Sequence, residues 1–277
     1  MECVSASRTA DSTSTAEVRR RETVVLLHGS GGSGSLWRHT SAALKPLYRC
    51  LAPDLLGYGT SPAWPAGVAF GLDAERLALE PRLNCCTDRL HVVGYSYGGV
   101  VALHLALARP GRVHTLALIE PVFFHALAYA SHWRAFSHFQ HVRDEFLRGL
   151  EKGNREAALG SFVDFWSGNG TWGGLSAAAR QDLLRHADKI ALDWQAAFAF
   201  QPDRGALESL GQRTLLIRGD CSPTPMLELV DALNGLMPGS TRVIVNGANH
   251  LVPLTHATQL TGAILTHLHV DAERTMR

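Results

Sequence analysis

Six short apolar runs recur along the chain, at residues 23–27, 48–52, 90–93, 113–119, 214–217 and 242–245. Most are continuous rather than alternating. A strand with one wet face alternates apolar and polar positions, whereas a strand covered on both faces reads as an unbroken apolar run. These runs therefore predict a parallel sheet with helices on both sides. Between the third and fourth runs lies "YGGVVALHLALARPGR", whose apolar residues recur at helical spacing until Pro110-Gly111 stops them. Strand, helix, strand is the unit of an α/β fold.

One interval breaks this rhythm. From Pro121 to about Arg213 no strand pattern occurs, and nine of the ten phenylalanines fall between Phe123 and Phe200, with Trp133, Trp166, Trp172 and Trp194 beside them. Groupings such as Phe162, Val163, Phe165 and Trp166 suit amphipathic helices. The pattern predicts an α/β core from residues 22–120 and 208–277, interrupted by a helical insertion at 121–207. Residues 1–21, rich in Ser, Thr and Arg and without an apolar signal segment, are expected to be a disordered tail. No internal repeat is visible.

Composition narrows the function classes. Hydrophobic residues make up 46% and charged residues 18%, enough to bury a large core. A net charge of +1 offers no field for nucleic acid or an anionic membrane surface. The run Arg19-Arg20-Arg21 reads as a solvated flank. No stretch reaches eighteen uninterrupted apolar residues, so no membrane span is expected. The cysteines at 3, 50, 85, 86 and 221 form no C-x-x-C pair, which fits a reduced, cytoplasmic setting.

Two glycine-containing turns carry the candidate chemistry. The first, "HGSGGSGS" at 28–35, follows the first apolar run; Gly29, Gly31 and Gly34 spell G-x-G-x-x-G, and Asp54 lies twenty residues past Gly34. Alone, that is the outline of a dinucleotide-binding loop. The second is Gly94-Tyr95-Ser96-Tyr97-Gly98, a G-x-S-x-G that follows a strand and opens a helix. That context matches a nucleophile elbow, in which small flanking residues permit a sharp turn and the serine hydroxyl stands clear of the sheet. The helix start behind it favours developing negative charge.

With those pieces in place, the sequence resembles the α/β-hydrolase fold family over nearly all of residues 22–270. Four motifs carry the likeness: His28-Gly29 with its glycine-rich loop and Trp37; "DLLGYGTS" at 54–61; "GYSYGG" at 94–99; and "GANH" at 247–250. The last is similar to the family's G-x-G-H turn, with Asn249 in place of the second glycine. The resemblance implies an α/β fold with a mostly parallel central sheet flanked by helices and a helical cap. It also reassigns the first loop. Ser30 and Tyr97 would supply backbone N–H groups to an oxyanion hole, and Asp54 would belong to a turn rather than to a ribose. No cofactor is implied.

A serine nucleophile needs a base, and the base an acid. Among fourteen histidines, His250 follows the last apolar run, where the family places its base. The acid is open between two residues. The usual position, three past Gly219, holds Ser222; Asp220 lies two residues early. Glu120 ends the run "TLALIEP", and some relatives carry their acid at that strand end. Both keep the order Ser, acid, His. Glu120 is preferred, because a carboxylate between Ile119 and Pro121 is costly to bury unpartnered; Asp220 stays as the alternative. His138 and His141 share a helix face without a third ligand, so no metal is expected.

The expected activity is a serine hydrolase that forms an acyl-enzyme on a small to medium, largely apolar ester. Trp166 and Phe123 are candidate substrate contacts under the cap. Serine at position 96 disfavours the dehalogenases and epoxide hydrolases of this fold, which need aspartate there. A C–C bond hydrolase, lactonase or cofactor-free lyase on the same triad, or a hydrolase-like binding protein, are the alternatives. The expected partner is a small molecule, with neither nucleic acid nor membrane involved.

Overall fold

All six apolar runs form strands in a computed structural model that describes residues 22–86 and 89–274. They are β1 Thr23–Leu27, β2 Arg49–Leu51, β3 Leu90–Tyr95, β4 Val113–Ile119, β5 Arg213–Gly219 and β6 Ser240–Val245. The expected tail, residues 1–21, lies outside the described residues. The strands pair in parallel as one sheet in the order β2-β1-β3-β4-β5-β6.

The unbroken apolar runs have a direct physical cause. Successive side chains of a strand point to opposite faces, and both faces of this sheet are covered. Val25 and Leu27 enter one core with Val92, Leu116 and Leu216. Val24 and Leu26 enter the other with Val93, Ala117, Ile119, Leu215 and Ile217. The first core is closed by helix Tyr97–Ala108 and the second by Trp37, Leu44 and Leu260. Strand ends differ from the runs where pairing decides them. β3 continues to Tyr95 because Gly94 and Tyr95 still face Leu118 and Ile119 of β4. β2, on the sheet edge, stops at three residues because its register with β1 covers only Arg49 to Leu51.

The strand order places a site. The chain runs from β1 outward to β2 and then crosses to β3 on the other side of β1. Loops leaving the C-terminal ends of β1 and β3 therefore part in opposite directions and open a crevice, where ligands bind in open parallel sheets. Ser30 and Ser96 sit on those two loops.

Between β4 and β5 the chain is helical throughout its regular elements: His125–Tyr129, Trp133–Glu151, Arg155–Ser167, Thr171–Gly174, Ala177–Ala199 and Arg204–Glu208. Local chemistry sets the boundaries. Ser176 caps helix Ala177–Ala199, accepting the Ala179 N–H at 3.2 Å. Gly168, at φ 103°, ends helix Arg155–Ser167 in a conformation that other residues rarely adopt. Much of the aromatic content packs these helices together: Phe124 stacks on Phe198 at 4.1 Å and also meets Phe139 and Trp194. Among the described residues, no helix is long and apolar enough to cross a membrane.

Candidate active site

Ser96 joins β3 to helix Tyr97–Ala108 at φ 53°, ψ −118°, a conformation costly for a residue with a Cβ. Its neighbours show why glycine must flank it. A Cβ on residue 94 would lie 2.3 Å from the Gly98 carbonyl oxygen, and one on residue 98 would lie 2.4 Å from that of His28. The turn is held by the Ser96 N–H on the Ile119 carbonyl at 2.9 Å and by the Gly99 N–H on the Ser96 carbonyl at 2.9 Å.

His250 and Glu120 complete a continuous hydrogen-bonded line. His250 Nε2 lies 3.1 Å from Ser96 Oγ, and its Nδ1 lies 2.6 Å from Glu120 Oε2. Glu120 is wholly buried and, like Ser96, has a positive φ, 42°. Its other oxygen accepts the Gly219 N–H at 2.7 Å and the Ser222 hydroxyl at 2.5 Å. With that carboxylate facing Nδ1, the network assigns the proton to Nδ1 and leaves Nε2 free to accept from Ser96. The Tyr95 hydroxyl donates to the His250 carbonyl at 2.9 Å, and Trp166 stacks on the imidazole at 4.2 Å between centroids.

The structure thus brings Ser96, His250 and Glu120 together, and not Asp220. Asp220 lies exposed, with Oδ1 accepting the Gly247 N–H at 2.6 Å, a bond that holds its carboxyl below the usual range. It braces the turn before His250 from outside. Ser222, in the usual acid position, instead donates to Glu120. Asn249, the departure in "GANH", has a tying role: Oδ1 accepts the Leu251 N–H at 3.0 Å, and Nδ2 donates to the Ser167 carbonyl at 2.8 Å. One side chain so joins the His250 loop to the insertion.

On the other side of Ser96 lies the loop after β1. Tyr97 is the first helical residue, so its N–H has no intrahelical acceptor. His28 is buried. It accepts the Leu55 N–H at Nε2, 3.0 Å, and this leaves Nδ1–H to donate to the Gly29 carbonyl at 2.8 Å. Burial holds its pKa down to about 4. Asp54, the would-be ribose ligand, is occupied: it accepts the Gly34 N–H at 2.8 Å and the N–H and hydroxyl of Thr60 at 2.8 and 2.9 Å. The glycine loop is stitched to its neighbouring turn.

A cavity of about 250 Å³ opens on Ser96 and His250, walled by Ser30, Val122, Trp166 and Trp194 among mostly apolar residues. Phe123, expected at this wall, is not there. It is fully buried, 5.5 Å from the ring of Phe200 and beside Tyr129, and Val122 lines the cavity instead. Among the described residues, no cluster of three or more potential ligands could hold a metal ion.

Sequence reasoning missed a second buried polar cluster, formed by Glu75, Lys189 and Asp193 with Tyr58 and Ser30. The available signal was a lysine and an aspartate four residues apart among Ile190, Trp194 and Ala197 on an otherwise apolar helix face.

Comparison with known proteins agrees with this architecture. The family model described as Alpha/beta hydrolase family matches residues 24–263. Lipase LipV of Mycobacterium tuberculosis is 43% identical over 99 residues, 35% of this chain and 36% of that protein. A pimeloyl-[acyl-carrier protein] methyl ester esterase of Aeromonas salmonicida is 38% identical over 98 residues, 35% of this chain and 36% of that protein. These matches span only about a third of each relative's length. The solved structure of MenH from S. aureus superimposes with a TM-score of 0.74 at 16% identity, covering 93% of this chain and 97% of that one.

Proposed function

Because the chain belongs to the alpha/beta hydrolase family, we propose that it is a serine hydrolase that cleaves small to medium, largely apolar carboxylic esters through an acyl-enzyme. The observation that carries this reading is the buried line Glu120–His250–Ser96 ending in an apolar cavity.

His250 Nε2 takes the Ser96 proton as Oγ attacks the ester carbonyl carbon, and the carbonyl oxygen gains the negative charge. The N–H groups of Ser30 and Tyr97 receive that oxyanion. His250 then protonates the departing alcohol. In the second half it takes a proton from water, whose oxygen attacks the acyl carbon, and returns that proton to Ser96 Oγ as the Oγ–acyl bond breaks and the acid leaves. Glu120 stays ionised throughout, orients the imidazole and stabilises the imidazolium. The helices between β4 and β5 serve as the cap. A cavity of about 250 Å³ lies just below the usual size of small-ligand sites, roughly 300–1,000 Å³, and its apolar wall suits a short hydrocarbon part better than a charged one. Two partial relatives are named as a lipase and a methyl ester esterase, which supports an ester, and two others of similar coverage are named as putative carbamate hydrolases. The substrate proposed is a small molecule.

A fluorophosphonate probe tests the reading directly. Wild-type protein is expected to be labelled, and Ser96→Ala and His250→Ala are not. Failure of the folded wild type to label, or equal turnover of charged and apolar esters, would contradict it.

A further inference from the structure

The Glu75–Lys189–Asp193 cluster is buried and has no place in the proton transfers just described. Asp193 is wholly excluded from solvent. One of its oxygens accepts the Ser30 hydroxyl at 2.7 Å and the Tyr58 hydroxyl at 2.6 Å; the other faces the Lys189 ammonium. Lys189 also reaches Glu75 at 3.0 Å and lies over the rings of Tyr58, Phe70 and Tyr97. Glu75 in turn accepts the Leu56 N–H at 3.0 Å. Burial pushes both carboxyls above their ordinary range, a sign of how much desolvation this arrangement carries.

Such a cluster is a poor device for stability alone, because well-packed apolar residues often serve as well or better than a buried ion pair. Its geometry is more informative. Residues 29–32 read Gly-Ser-Gly-Gly, and Ser30 is the one residue among them with a side chain. Glycine-rich backbone has wide conformational freedom; His28 holds the Gly29 carbonyl at one end, and Ser30 supplies the one side chain within the stretch that can anchor the rest. The handle is held by a carboxylate from helix Ala177–Ala199, 163 residues away.

We propose that Asp193 is a positioning residue, which fixes the loop at residues 29–32 through the Ser30 hydroxyl so that its N–H points at the oxyanion formed on Ser96. The inference rests on the serine hydrolase reading. It makes the cap helix part of the oxyanion hole: Lys189 and Tyr58 hold the carboxylate in place, and the carboxylate holds the loop. Loosening the loop weakens an interaction made in the transition state, so it lowers kcat and leaves KM nearly unchanged.

The test uses full-length protein, a short apolar ester and an aryl trifluoromethyl ketone, which adds Ser96 and places an oxyanion in the hole. Ser30→Ala is expected to lower kcat about 10-fold or more, short of the ~10²–10³ of a deleted donor. Affinity for the ketone should fall by a similar factor, with KM and the thermal midpoint near wild type. Ser30→Thr, which keeps the hydroxyl, should recover most of the loss. Asp193→Asn should lower kcat comparably, with little further loss when combined with Ser30→Ala, as expected of two residues acting through one bond. If Asp193→Asn does not fold, the Ser30 pair decides. Active wild type with an equally active Ser30→Ala, or additive losses in the double variant, overturns the role of Asp193 and leaves the hydrolase reading intact. A wild type that neither labels with fluorophosphonate nor turns over esters overturns both.

Discussion

The two polar clusters that flank Ser96 are built from different parts of the molecule. Glu120 and His250 stand on loops that leave β4 and β6, so the acid and base on that side come from strand ends, and the insertion adds only the Trp166 ring and the Asn249–Ser167 tie. The other side needs the insertion, because the Ser30 loop is held by Asp193 of helix Ala177–Ala199. Proton transfer demands atoms at hydrogen-bond distance, and rigid strand ends hold them there. The loop proposed to face the oxyanion is glycine-rich and is tied to a distant helix. The sheet side should therefore tolerate little change, while the insertion side should tune rate.

The largest effect expected is for Ser96→Ala, a loss of kcat of order 10⁴- to 10⁶-fold with the fold unchanged, measured by ester hydrolysis and circular dichroism. Next is Glu120→Gln, about 10⁴-fold in kcat, since a neutral amide no longer stabilises the imidazolium or holds its tautomer. Asp220→Asn should stay within about twofold. Equal losses from the two carboxylates would break the assignment of the sheet side to Glu120.

A third prediction concerns stability at the base of the glycine loop. His28 is held neutral, its pKa lowered from 6.5 to about 4 by burial. Between those values the unfolded chain binds a proton that the folded protein does not. The stabilisation is therefore complete above pH 6.5 and is lost as pH falls toward 4, to a total of about 3 kcal/mol. Urea unfolding at pH 7, 5.5 and 4.5 should show a steeper acid loss for wild type than for His28→Gln. Parallel profiles would refute it. A more modest effect, about tenfold in kcat/KM, is expected for Trp166→Phe, because a smaller ring covers less of the His250 face it now stacks on. An unchanged kcat/KM would show that the stacked ring does not act on the base.

Local rules explain what could be read from the chain itself. Apolar runs marked the four inner strands because burial on both faces removes alternation; the edge strands β2 and β6 are largely half-buried or exposed and were marked by short apolar runs alone. The G-x-S-x-G turn was legible because its sharpness excludes a Cβ at residue 94, which would meet the Gly98 carbonyl at 2.3 Å; the demand for glycine at 98 comes from the neighbouring β1 loop, whose His28 carbonyl would lie 2.4 Å away. The insertion was visible as a change of composition.

The remainder depended on contacts between distant segments. Glu120 and Asp220 both end strands, and Asp220 follows β5, the neighbour of β6; only the turns that follow aim Glu120 at His250 and Asp220 at the Gly247 N–H. Phe123 and Val122 are adjacent in sequence, yet the exit of the chain from β4 buries one and points the other into the cavity. Asp193 meets Ser30 only because helix Ala177–Ala199 docks over the loop after β1. The sequence by itself determined the strands, the elbow and the position of His250, since periodicity and steric exclusion operate over a few residues. Which carboxylate faces the base, and what restrains the glycine loop, was decided by the order of the sheet and the docking of the insertion.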